Sequence, residues 1–118
     1  EMCMPLQTLQ LFAEGRGVWR GLPATDRAAQ LDHIAATVEE LYPAFRMYLF
    51  DGRSRFAPPM TLFGYSRAAV YAGEVYLHIR ARALVHDLAR GFDGHIRAAA
   101  VHAHEAAGWV RALRVTPD

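Results

Sequence analysis

The chain has 118 residues, 53% apolar and 21% charged, with a net charge of +1 when its histidines are neutral. That is the size and composition of one globular domain that needs no staples, and it excludes a strong field for gathering nucleic acid. All 13 basic residues are arginine, so Schiff-base, P-loop-lysine and lysine general-base chemistry are excluded outright. The single cysteine, Cys3, makes no internal disulfide and builds no zinc site alone, which points to a reducing, cytoplasmic compartment. No apolar run approaches the ~20 residues of a membrane span, and no basic-then-apolar signal peptide opens the chain. The start on Glu1 fits a fragment of a longer protein, and trimming of the N-terminus would look the same.

Pro5 to about Ala13 reads as a first helix, with proline in the first turn and Leu6, Leu9, Phe12 and Ala13 at helical spacing. Gly15, Gly17 and Gly21-Leu22-Pro23 break the pattern, and Trp19 in this connection is an anchor packed on the domain. Thr25 or Asp26 caps a second helix, whose stripe is Ala28, Leu31, Ile34, Ala35, Val38, Leu41 and Tyr42. Arg27, Asp32, Glu39 and Glu40 fall mostly off that stripe, and Pro43 ends it.

The period then changes. Phe45 to Phe50 is aromatic and apolar and reads as a strand. A loop follows from Asp51-Gly52 through Pro58-Pro59. Met60–Phe63 and Ala68–Ala72 suggest two more strands, and Gly73-Glu74 a tight hairpin into a fourth, Val75–Ile79. From Ala81 the chain is helical again, with Leu84, Val85, Leu88, Phe92, Ile96 and Ala99 on one face, and Gly91 and Gly94 marking a bend or close packing. Ala98 to Ala107 continues the helix, with Trp109, Val110 and Leu113 as a last apolar contact. The fold class is α+β in one domain, 1–118: N-terminal helices, a mainly antiparallel sheet of about four strands and a C-terminal helix packed on one face, the helices sharing one side.

Motifs for chemistry are sparse. His102-Ala103-His104-Glu105, taken as helical, points its histidines about 200° apart, so they do not chelate as an i, i+4 pair would. Neither Ser54 nor Ser66 lies in a nucleophile elbow, and Cys3 lacks a shaped environment. Glu39-Glu40 falls on a solvated helix end. Arg53, Arg55 and Phe56 offer a phosphate and stacking contact, but no basic face surrounds them. No catalytic set, metal site or cofactor is assigned. The most ligand-like group is Arg46, Tyr48, Tyr65, Arg67, Tyr71, Tyr76 and His78, on or beside the strands. It suits an anionic or planar small molecule, against the plainer reading that tyrosine is an ordinary strand residue.

The run Leu62-Phe63-Gly64-Tyr65-Ser66-Arg67-Ala68-Ala69-Val70-Tyr71, then Tyr76-Leu77, Leu84-Val85-His86-Asp87-Leu88 and Phe92-Asp93-Gly94-His95-Ile96-Arg97-Ala98-Ala99, resembles the C-terminal sensor region of bacterial XRE-type helix-turn-helix regulators. Those regions look like a reduced half of the phospholipase D-like fold. The resemblance covers about the second half of the chain and rests on motifs of low specificity. It implies effector binding or dimerisation, with DNA bound only through an upstream domain absent here. The His-x-Lys motif of phospholipase D enzymes cannot exist without lysine, so it implies a non-catalytic role. The leading expectation is a homodimeric, effector-sensing module, with the N-terminal helices as dimer contacts. A small enzyme with His78 as acid or base, and a purely structural assembly domain, are the alternatives.

Overall fold

The structure, a computed structural model, describes residues 1–118. The elements are β1 (Met2–Pro5), α1 (Leu6–Glu14), a 3-10 turn (Gly17–Trp19), α2 (Ala24–Leu41), β2 (Met47–Phe50), β3 (Met60–Phe63), β4 (Arg67–Ala72), β5 (Val75–Ile79), α3 (Arg82–Arg97), a second 3-10 turn (Ala103–Glu105) and α4 (Ala106–Arg111). The α+β class holds. The sheet has five strands rather than about four, in the order β2-β1-β3-β4-β5.

The added strand is β1, from residues that precede the expected first helix. It lies between β2, to which it is parallel, and β3, to which it is antiparallel. The Met2 N–H donates to the Arg46 carbonyl at 2.9 Å, and the Leu62 N–H to the Glu1 carbonyl at 2.8 Å. Pro5 keeps an extended backbone (φ −63°, ψ 133°) and serves as the N-cap of α1 rather than its first residue. The parallel β1–β2 pair needs a crossover, and α1 and α2 supply it. From β3 to β5 the chain is a meander, closed at Gly73 (φ 73°) by the two-residue hairpin expected there.

Period-2 alternation sorts the strand residues onto two faces. Met2 and Met4 of β1 and Met47 and Leu49 of β2 pack with Leu9, Phe12, Leu31, Ala35, Val38 and Val110 from α1, α2 and α4. Cys3, Phe50, Met60 and Val70 point the other way and pack with Phe92, Leu88 and Ile96 of α3. The long helix after the hairpins, α3, therefore covers one face, as expected, while the short last helix α4 packs on the other. The N-terminal helices take the opposite face, not the same side, because β1 and β2 are apolar on both. α3 runs unbroken through Gly91 and Gly94, and Gly94 marks close packing: a Cβ there would lie 3.2 Å from the Arg55 guanidinium.

Other expectations fail because contacts distant in sequence override the local pattern. Ala98–Ala107 does not prolong α3. The chain leaves the helix and Val101 bridges to Leu49, exchanging N–H···O bonds at 3.0 Å in both directions. The histidines that follow lie at a 3-10 turn, and their rings stack with centroids 6.4 Å apart instead of diverging. Arg27 is not on a solvated face: it is 3% exposed. It donates to the carbonyls of Leu22, Ala13 and Thr116, joining α1, α2 and the C-terminal segment. Neither Thr25 nor Asp26 caps α2. Its first N–H, from Ala24, donates to Asp118 Oδ1 at 2.9 Å, so the cap comes from the far end of the chain.

No helix is long and apolar enough to cross a membrane.

Candidate ligand groove

The most apolar-lined concavity beside the predicted tyrosines is a groove of about 420 Å³ where α1 and α2 meet the open part of the sheet. One wall is helical: Leu9 and Phe12 of α1, Ile34 of α2, and Trp19 of the first 3-10 turn. The Trp19 ring meets Phe12 edge-on, centroids 5.0 Å apart at 83°, so the anchor role read for Trp19 holds. The floor is Met2 and Met4, which alternation turns to this face. The far wall is Pro59 with Tyr71 and Tyr76. These tyrosines are cross-strand partners, centroids 5.1 Å apart. Because the Tyr71 N–H is taken by Pro59 of the β3 side at 3.0 Å, the pair is of the closer, non-hydrogen-bonded kind.

Thr8 and Gln30 add the groove's polar side chains. The lining thus offers flexible thioethers, aromatic faces, two phenols, a hydroxyl and an amide. It suits a flat apolar molecule with one or two hydrogen-bonding groups, within the size range of ordinary ligand sites.

The loop that ends at Pro59 is held firmly. Gln7 donates to Asp51 Oδ1 at 2.7 Å and accepts from the Gly52 N–H at 2.9 Å. Hydrogen bonds from Arg53 and Gln7 hold the Asp51 carboxyl well below the usual carboxylate range. Further along, Arg55 Nε donates to His95 Nδ1 at 3.2 Å, and His95 stacks on Phe50. Both arginines read as phosphate contacts have partners within the chain, Arg53 on Asp51 from an exposed position and Arg55 on His95, while Phe56 is fully exposed.

The seven residues grouped by sequence do not converge on one pocket. Tyr71 and Tyr76 line the groove. Arg67 and His78 fall on the same sheet face by register, with Arg67 lying 5.8 Å over the Phe63 ring and His78 exposed on β5. Arg46 and Tyr65 line a smaller pocket of about 240 Å³ on the α3 side, beside Glu1 and Asp93. There Arg46 pairs with Glu1 at 2.9 Å, and Tyr65 lies against His86. Tyr48 is half-buried against the α3-side core, where burial and the Glu1 charge raise its phenol pKa. Met2, Met4, Phe12, Trp19 and Ile34 lay outside the group because the crossover, not strand proximity, brings them to the tyrosines.

Comparison with protein-family models, with curated proteins and with solved structures returns no match to this chain.

Proposed function

We propose that this domain is the effector-sensing, homodimeric module of a bacterial, cytoplasmic transcription regulator whose DNA contacts are made by another domain. The single observation that carries the sensing role is the groove between Trp19 and the Tyr71–Tyr76 pair. Its lining favours stacking and apolar contact over ionic capture, so the effector is a planar, largely apolar molecule rather than an anion. Two further features support the regulator reading. The run that carries the resemblance folds in the order strand, strand, strand, helix, with Arg67-Ala68-Ala69 in β4 and Phe92-Asp93 in α3. A net charge of +1 leaves DNA binding to another part of the protein.

Fluorescence titration tests the sensing role, with 2-naphthol as the planar probe and Trp109→Phe as the background so that Trp19 alone reports. Saturable quenching is expected, weakened about fivefold by Tyr76→Ala, since stacking on one aromatic contributes on the order of 1 kcal/mol. Quenching that does not saturate, or that ignores Tyr76→Ala, overturns the sensing role. A full reading frame without a DNA-binding domain overturns the regulator role.

A further inference from the structure

The two edges of the sheet are finished differently. At β2, Val101 occupies the edge: it exchanges N–H···O bonds of 3.0 Å with Leu49, and the Ala100 N–H adds a third at 2.9 Å. At the other edge, β5 has nothing beside it. Val75 to His78 are all exposed, and the strand carries no charge, proline or bulge. Natural sheets blunt such edges with one or more of these devices, because an unpaired apolar strand templates the addition of another.

The free backbone groups can be placed. The Tyr71 N–H is turned to β3, so Ala68, Val70 and Ala72 turn theirs to β5, where they meet Ile79, Leu77 and Val75. Tyr76 and His78, flanked by Glu74 and Arg80, therefore direct their N–H and C=O outward.

We propose that β5 pairs antiparallel with β5 of a second copy about a two-fold axis at Leu77, making one ten-stranded sheet. The inference rests on the homodimer in the functional reading and assigns its surface. In this register Tyr76 of each copy exchanges both backbone bonds with His78 of the other, joining the outward-turned groups. Val75 meets Ile79 and Leu77 meets Leu77, all on the α3 face. One step beyond the strand, Glu74 of each copy stands opposite Arg80 of the other, so opposite charges close both ends. Moving the axis to Tyr76 or His78 keeps the backbone bonding but separates Glu74 from Arg80. This charge match selects a second copy as the occupant and Leu77 as the axis. On the groove face, His78 of one copy then stands beside Tyr76 of the other, extending the binding surface across the axis. The N-terminal helices are the poorer dimer surface, because Leu9, Phe12, Leu31, Ala35 and Val38 are already buried within the chain.

Sedimentation equilibrium on the intact chain, from about 1 µM to 1 mM, reads the association. A reversible dimer is expected. Glu74→Arg and Arg80→Glu each place like charges opposite one another twice per dimer and should each raise the dimer Kd about tenfold. The double reversal should return it to near the starting value. Under mild oxidation Leu77→Cys should cross-link at the axis. Val75→Cys should not, since its own symmetry mate lies about 13 Å away along the strand. A monomer throughout the range overturns both this surface and the homodimer. A dimer that ignores both charge reversals, or that fails to cross-link through Leu77→Cys, overturns the surface alone.

Discussion

Arg27 and Thr116 are 89 positions apart in sequence and joined by a hydrogen bond of 2.9 Å from guanidinium to carbonyl. The same guanidinium serves the Leu22 and Ala13 carbonyls, and its Nη2 reaches Asp118 Oδ1 at 3.5 Å. One planar fork of fixed donors thus ties together the end of α1, the start of α2 and the last residues. Lysine, with a single compact ammonium, cannot reproduce this geometry. Arg27→Ala strands several buried carbonyls, each costing about 1–3 kcal/mol. Urea unfolding should show a loss of about 3–5 kcal/mol, with Arg27→Lys rescuing only a minor part. Asp118→Ala, which removes the Ala24 cap, should cost about 1 kcal/mol.

How far the sequence carried depends on the scale of the contact that decides each element. β3, β4, the Gly73-Glu74 turn and β5 were legible because their determinants lie within the hairpins themselves. β1 was not. Four residues ending in proline carry no signal of their own, and Met2–Pro5 becomes a strand only by lying between β2 and β3. The break after Arg97 was equally hidden, since alanine favours helix and only the Val101–Leu49 bridge overrides it. Arg27 did leave a signal: it stands four residues before Leu31 and so shares the stripe's face. Half of the groove followed from hairpin register at Tyr71 and Tyr76. The other half needed the packing of α1 and α2 on β1, which local patterning does not encode.

The His95 contact makes stability pH-dependent. Its Nδ1 accepts from Arg55, which only a neutral ring can do, and burial together with the Arg55 charge lowers its pKa. The unfolded chain therefore binds a proton at a pH where the native chain does not, and stability falls as pH drops below about 6.5. Thermal unfolding between pH 7.5 and pH 5 should show a steeper loss for the wild type than for His95→Gln. Identical slopes would mean that the Arg55–His95 contact is not maintained in solution.

Cys3 tests the placement of β1. It is fully buried in an interior strand, and burial pushes its thiol up to about 12. The reactive thiolate is then scarce at pH 8. A disulfide reagent such as DTNB should label the native protein only as fast as it opens, and label it at once in urea. Immediate labelling without denaturant would place β1 outside the sheet.

Two glycines with nearly the same backbone separate strain from crowding. Gly15 (φ 66°) ends α1 in a Schellman turn, its N–H donating to Phe12 and the Arg16 N–H to Leu11. Gly73 (φ 73°) closes the β4–β5 hairpin. An alanine at either position meets the left-handed penalty of about 1–2 kcal/mol. At Gly73 a Cβ has open space around it, whereas at Gly15 it would lie 2.9 Å from Arg27 Cζ. Gly73→Ala should therefore cost about 1 kcal/mol, and Gly15→Ala about 1–3 kcal/mol more, because the guanidinium must leave its carbonyls. The excess should vanish in an Arg27→Ala background, where Gly15→Ala has only the backbone penalty left. A double-mutant cycle reads this directly, with a coupling of about 1–3 kcal/mol expected between the two positions. Additive costs would show that Arg27 does not pack over Gly15.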